Sequence, residues 1–182
     1  MQLFFSQTYT RVNLGITQKK NLECHMLRKD KKFQLAAEQL THLLAMLRAA
    51  HWIHWSDHWQ VQGNAYYGDH LMLERIYTGM VDEIDTLAEK IVAVFGLEYV
   101  DPVSQASLML ALVNQICKME GCSDQIVRSL TTERLVMDSL NRVFATLEAN
   151  QALTIGMNDF LSATANAHET NVYLLQQRLS RK

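Results

Sequence analysis

The sequence predicts an all-α chain: a four-helix bundle with a short extra helix between the second and third long helices. Three observations predict it. Breakers are scarce, with seven glycines and one proline in 182 residues, too few for the turns of a many-stranded β fold. Four long stretches repeat apolar residues at three- and four-residue spacing, the period of a helix with one buried stripe. A composition of 48% apolar and 20% charged residues is globular, and a chain this long buries a core without disulfide or structural metal.

The first helix is expected over residues 33–61, where Leu35, Leu40, Leu43, Leu44 and Leu47 form the stripe. Gln62, Gly63 and Asn64 should stop it, because Gly and Asn tolerate the positive φ of a helix C-terminus. The second runs from about 65–69 to Phe95, with Leu71, Ile76, Met80, Ile84, Leu87 and Ile91 on one face, and Gly96 ends it. Pro102 lies in the connection, and 103–116 reads as a small apolar helix covering an opening in the bundle. Ser123, Asp124 and Gln125 supply an N-cap for a third long helix reaching Asn150. Gly156 marks the next break and 157–181 the fourth helix. The domain so defined is 33–182, preceded by an extension over 1–32. Neither an internal repeat nor a low-complexity segment interrupts it.

No run approaches the 18 or so apolar residues of a membrane span, and the N-terminus lacks the apolar core of a secretory signal. Three cysteines, Cys24, Cys117 and Cys122, form no C-x-x-C pair. That count fits a reducing cytosol, so a cytoplasmic location is expected. The net charge of −2 conceals an asymmetry. Residues 1–32 carry seven Lys or Arg against Glu23 and Asp30, which is +5, and the other 150 carry ten against seventeen acids, which is −7. A basic arm on an acidic body suits an anionic partner such as DNA, and it equally suits a solvated extension.

Chemistry concentrates at the end of the first helix, in His51, Trp52, His54, Trp55, His58 and Trp59. The three histidines share one face and the three tryptophans another. On the second helix His70, Glu74, Asp85 and Glu89 fall within about a 100° arc, and Asp85 and Glu89 are an i,i+4 pair able to reach one cation. Asp82, Glu83 and Lys90 read as a solvated face of the same helix. His58 and His70 should meet where the two helices turn, but Asp85 lies about 22 Å further along the axis. No metal spans that distance. If the four residues form one site, two chains must meet antiparallel, each giving histidines to one site and carboxylates to the other. Imidazole with carboxylate suits Fe²⁺, Mn²⁺, Co²⁺ or Zn²⁺ better than Ca²⁺. The doubled Glu-x-x-His of di-iron bundles is absent, which argues against a site inside one bundle. His51 and His54 are expected to pack.

The run His58-Trp59-Gln60-Val61-Gln62-Gly63, with Tyr66, Tyr67, His70 and then Asp85 through Ile91, resembles the Dps family of miniferritins. The spacing H-x11-H-x14-D-x3-E is similar to that family's ferroxidase signature, and Asp159 through His168 and Glu169 to Leu175 is similar to its last helix. The resemblance covers about residues 34–180. It implies a ferritin-like subunit of a hollow homododecamer, with sites on dimer two-folds that oxidise Fe²⁺, preferably with hydrogen peroxide, and an interior that stores the ferric product. Carried over, His58, His70, Asp85 and Glu89 would be catalytic metal ligands. Glu74 would join His70 on a weaker second iron, and Trp59 would pack beside the site. Two departures stand out. The loop Asn150-Gln151-Ala152-Leu153 lacks the acids that line a three-fold iron pore in many members. The long N-terminal arm offers Lys19, Lys20, Arg28, Lys29, Lys31 and Lys32 to DNA, which would place the protein on the nucleoid. It also carries Leu3, Phe4 and Phe5, which suit a strap over a neighbouring subunit. The rival expectations are a DNA-compacting cage without iron chemistry and a metal-free bundle with packed histidines.

Overall fold

The computed structural model describes residues 31–180, and among them every regular element is helical. Helix α1 spans Lys31–Gln60, α2 Tyr66–Val94, α3 Pro102–Cys117, α4 Gln125–Ala149 and α5 Ile155–Ser180, with a 3-10 turn at Leu97–Val100. The bundle is the unit Ala36–Lys182. No helix among the described residues is long and apolar enough to cross a membrane. Of the cations assigned to the arm, Lys19, Lys20, Arg28 and Lys29 lie outside the described residues. Lys31 and Lys32 stand exposed in the first turn of α1, which starts two residues before the expected Phe33.

Side-chain pairs between helices reveal the topology. The His58 ring lies 4.8 Å from His70 and 5.0 Å from Tyr77, while His51, further back on α1, also meets Tyr77. Asp57 binds Arg128, and His54 binds Glu133, so α4 descends as α1 rises. Asp69 with Arg178, Glu83 with His168 and Lys90 with the Gly156 carbonyl set α2 and α5 antiparallel. Helices α2 and α4 are therefore parallel, and the chain must return the length of the bundle between them. Helix α3 makes that return. It is tied to α1 by Gln105 Nε2 donating to the Thr41 carbonyl at 3.1 Å, and Thr41 Oγ1 donates to the Tyr99 carbonyl at 3.2 Å.

The stops follow backbone chemistry. Gly63 and Gly96 take φ of 87° and 116°, values that a Cβ disfavours and that turn the chain out of α1 and α2. Asp101 accepts from Ser104 N at 2.8 Å ahead of Pro102 at the helix start, and Asp124 accepts from Ile126 N and Val127 N. Both caps satisfy amides that a helix start leaves without partners. The last break differs from expectation. Gln151 at φ 56° turns the chain and Thr154 Oγ1 accepts from Met157 N at 3.2 Å, so α5 begins before Gly156 rather than after it. A capping hydroxyl starts the helix, and Gly156 merely sits in its first turn.

The core is built from Leu40, Leu43, Leu44 and Leu47 of α1, Leu73, Ile76, Met80, Leu87 and Ile91 of α2, and Val136, Leu140, Val143 and Leu147 of α4. Phe160, Leu161 and Leu175 of α5 complete it. Leu35 and Leu71, expected on buried stripes, are instead exposed.

Candidate metal centre

The α1–α2 turn brings His58 and His70 together, as the helical hairpin requires. Each ring is fixed by a backbone carbonyl: His58 Nδ1 donates to the Trp55 carbonyl, and His70 Nδ1 donates to the His58 carbonyl at 2.7 Å. With both Nδ1 atoms donating, both Nε2 lone pairs are left to accept a proton or a metal. His58 is buried and His70 half-buried.

The carboxylates stand elsewhere. Asp85 and Glu89 are exposed on α2 and Glu74 is half-buried, and none of the three forms a salt bridge among the described residues. Asp85 follows His70 by 15 residues on the continuous helix α2, about 22 Å at the rise of an α-helix. One chain therefore does not join His58 to Asp85 or Glu89. Among the described residues no group of three His, Cys, Asp or Glu side chains is spaced to hold a metal ion.

Aromatic rings cover the ground beside the histidines. Trp52, Trp55 and Trp59 run along α1 with ring centroids 6.0 and 5.2 Å apart, and Trp59 sits 5.0 Å from His58. Trp59 is 60% exposed and Tyr67 73%, with Trp52, Tyr66 and Leu71 also open. Large exposed apolar patches are a feature of interaction surfaces.

A second polar cluster lies inside the bundle, with side chains from all four long helices. His54 Nε2 donates to Glu133 Oε1 at 2.7 Å, and His168 Nδ1 donates to Glu133 Oε2 at 2.6 Å. The other nitrogen of His168 faces Glu83 Oε2 at 3.2 Å. His54 Nδ1 faces Ser129 Oγ at 3.1 Å, and Ser129 donates to Asp57 at 3.3 Å. Arg128 forks onto Asp57 and donates to the Cys122 carbonyl at 2.9 Å. His54, Glu133 and His168 are closed to solvent. Burial disfavours the charged form of both partners, but the hydrogen bonds and opposite charges outweigh it. Glu133 is thereby held down to about 2 between the imidazoles, and His168 pushed up to about 10 between the carboxylates.

This cluster corrects two expectations. Glu83 does not belong to a solvated face: it is only 17% exposed and is bonded to His168. His54 does not face the same way as His51 and His58. It turns into the core, while His51 stacks against Trp55 and Tyr77. The signal was present in the sequence as charged residues inside apolar stripes. Glu133 interrupts Leu130, Val136 and Leu140, and His168 interrupts Leu161, Thr164 and Leu175. A charge at such a position is buried only with a partner.

No family model and no curated protein sequence matches this chain. Solved structures do. Dps from Thermosynechococcus elongatus superposes with a TM-score of 0.70 at 16% identity, covering 83% of this chain and 94% of that one. DpsC from Streptomyces coelicolor gives 0.65 at 21%, over 79% and 83%. A Dps protein from Vibrio cholerae O1, described as a member of a broad superfamily of ferritin-like diiron-carboxylate proteins, gives 0.66 at 21%, over 80% and 89%. The chain thus has the ferritin-like four-helix fold of Dps proteins, including the short helix in the long crossover.

Proposed function

We propose that this chain is the subunit of a Dps-like miniferritin, which oxidises Fe²⁺ at sites shared between two copies and stores the ferric product in a hollow oligomer. The observation that carries the proposal is a division of ligands. Among the described residues, His58 and His70 present free Nε2 atoms at one end of α2, and Asp85 and Glu89 stand exposed without ion pairs about 22 Å away. Two-fold pairing of antiparallel copies would bring each histidine pair to the other copy's carboxylates. The exposed Trp52, Trp59, Tyr66 and Tyr67 supply an apolar surface for that pairing.

In this site His58 with the partner copy's Asp85 and Glu89 would hold the first Fe²⁺, and His70 with Glu74 a second, weaker one. Carboxylates favour the ferric state more than neutral imidazole does, so a site of both kinds would take up Fe²⁺, favour its oxidation, and hold the ferric product less tightly than carboxylates alone would. Two Fe²⁺ give one electron each to a hydrogen peroxide, which takes up two protons and becomes two waters. Paired transfer avoids freeing a hydroxyl radical, which would protect DNA nearby. Trp59, packed on His58, would shield the site from water and could give up an electron to a stray oxidant. Twelve copies would match the cage that the sequence resemblance implies.

The test loads the purified protein anaerobically with Fe²⁺, adds peroxide, and follows ferric absorbance and iron retained per chain. Fast oxidation with soluble iron well above two per chain supports the proposal; precipitation at the buffer-only rate overturns it. Shared sites are tested by co-assembly. His58→Ala and Asp85→Ala are each inactive alone, and a 1:1 co-assembly regains about a quarter of the sites, because only mixed dimers hold one intact site.

The charge of +5 over residues 1–32 favours a second activity, non-specific DNA binding by the arm. Deleting residues 1–30 should abolish a salt-sensitive DNA shift and leave iron oxidation unchanged. An undiminished shift excludes the arm as the DNA contact.

A further inference from the structure

We propose that Trp59, Trp55 and Trp52 form an electron relay along α1 that joins the two shared sites of a pair of copies, so that one Fe²⁺ in each site together reduces a single hydrogen peroxide. The relay presupposes the shared iron site proposed above and adds a path between two of them.

The first support is an unbroken series of ring contacts. Trp59 stands 5.0 Å from His58, Trp55 5.2 Å from Trp59 and Trp52 6.0 Å from Trp55, centroid to centroid. A second branch reaches the same point, since Tyr77 lies 5.0 Å from His58 and 6.2 Å from Trp55. Both branches start at a candidate iron ligand and converge on Trp55. Tryptophan and tyrosine are the most readily oxidised aromatic side chains. Electrons tunnel quickly between rings in contact, because the rate falls steeply with the gap. A merely apolar face would be served as well by Leu or Phe, which cannot carry a charge.

The second support is where the series ends. His58 and His70 stand level, 4.8 Å apart, and α2 runs back along α1 to place Asp85 about 22 Å away. A two-fold axis that brings His58 of one copy opposite Asp85 of the other is level with a point on α1 about 11 Å before His58. Trp52 precedes His58 by six residues, about 9 Å along the helix, and so stands close to that level. Trp52 is 47% exposed, and among the described residues its one ring partner is Trp55. Within one copy the series is a dead end with an open face. In a pair the two Trp52 rings stand at about the same level beside the axis, and the two series run end to end.

The relay matters when the weaker second iron of a site is absent. One Fe²⁺ gives hydrogen peroxide one electron, and a second must follow before a hydroxyl radical escapes. Trp59 or Tyr77 gives that electron and releases its ring proton. Trp55 refills it, Trp52 refills Trp55, and the series of the other copy refills Trp52, drawing finally on the Fe²⁺ of the second site. The released proton returns to the ring as it is refilled. The sum is two Fe²⁺ oxidised to two Fe³⁺, while one hydrogen peroxide takes up two protons and becomes two waters.

The test loads full-length protein with one Fe²⁺ per chain and adds limiting hydrogen peroxide with a spin trap in excess. It reads hydroxyl-radical adducts, tryptophan radical in freeze-quenched samples, and ferric iron formed per peroxide. Wild type should show a tryptophan radical, few adducts and two ferric ions per peroxide. Trp55→Phe keeps an aromatic ring in place but breaks the series; adducts should rise several-fold and the ratio should fall toward one. Trp55→Tyr should restore the wild-type values, whereas a packing role would be met equally by Phe. If Trp55→Phe fails to recover helical circular dichroism or the wild-type gel-filtration position, Trp52→Phe replaces it with the same expectation. A properly folded and assembled Phe variant with wild-type adducts and ratio overturns the relay and leaves the shared site standing. Absence of ferric absorbance in wild type overturns the shared site, and the relay with it.

Discussion

His70 Nδ1 donates to the main-chain carbonyl of His58 at 2.7 Å, and the two imidazoles stand 4.8 Å apart, centroid to centroid. One ligand candidate thus orients the other through the backbone of the helix that carries it. A His70→Gln side chain cannot reproduce that ring position. In iron-oxidation assays it should lower the initial rate at least about tenfold, with helical circular dichroism unchanged. An unchanged rate would remove His70 from the site.

The buried His168 gives the protein a definite pH dependence. Burial opposes its charge, but bonds to Glu133 and Glu83 raise it from 6.5 to about 10. A raised folded value means the stabilisation is fully present below pH 6.5 and is lost as pH rises from there through 10. Melting temperature should therefore fall across that window, and the fall should be smaller in His168→Asn. Glu133, depressed from 4.5 to about 2, acts oppositely. Its contribution is present above pH 4.5 and is lost as pH falls toward 2.

Arg128 clamps the buried Asp57 with Nε at 3.1 Å from both carboxylate oxygens. Arg128→Ala would leave that carboxylate buried and unpaired, at a cost of about 3 kcal/mol in urea unfolding. Adding Asp57→Asn should recover part of the loss, since the stranded charge is then gone. A double variant no more stable than Arg128→Ala would show that packing, not charge, is at stake.

Arg178 ties the end of α5 to Asp69, one residue before His70, at 2.6 and 2.9 Å. The guanidinium is over a third exposed, so solvent screens the pair and Arg178→Ala should cost only about 1 kcal/mol. Hydrogen exchange should localise the loosening to the last turns of α5 and the first of α2.

Gly63 holds φ 87°, and a Cβ there would meet nothing within 4 Å. Gly63→Ala therefore carries backbone strain alone, about 1 kcal/mol. Thermal unfolding should show a small loss, with the α1–α2 turn retained.

What the sequence by itself determined is local: where helices run and where most of them stop. Helical periodicity, Gly63, Gly96 and the Asp124 cap act within a few residues of their effect, and the structure places them as the pattern implies. Gly156 misled because a hydroxyl at Thr154 starts a helix more effectively than glycine ends one. The spacing of His58, His70, Asp85 and Glu89 was also legible, together with the axial distance that keeps the two pairs apart in one chain.

Only the tertiary structure decided which polar stripe of each helix is covered. Glu83 and Asp82 are neighbours on α2, yet Glu83 is drawn against His168 while Asp82 stays exposed. The choice depends on partners 85 residues away, as His54 depends on Glu133 at a separation of 79. A helix's own period sets the phase of its faces, but the packing of three other helices decides which of them meets water.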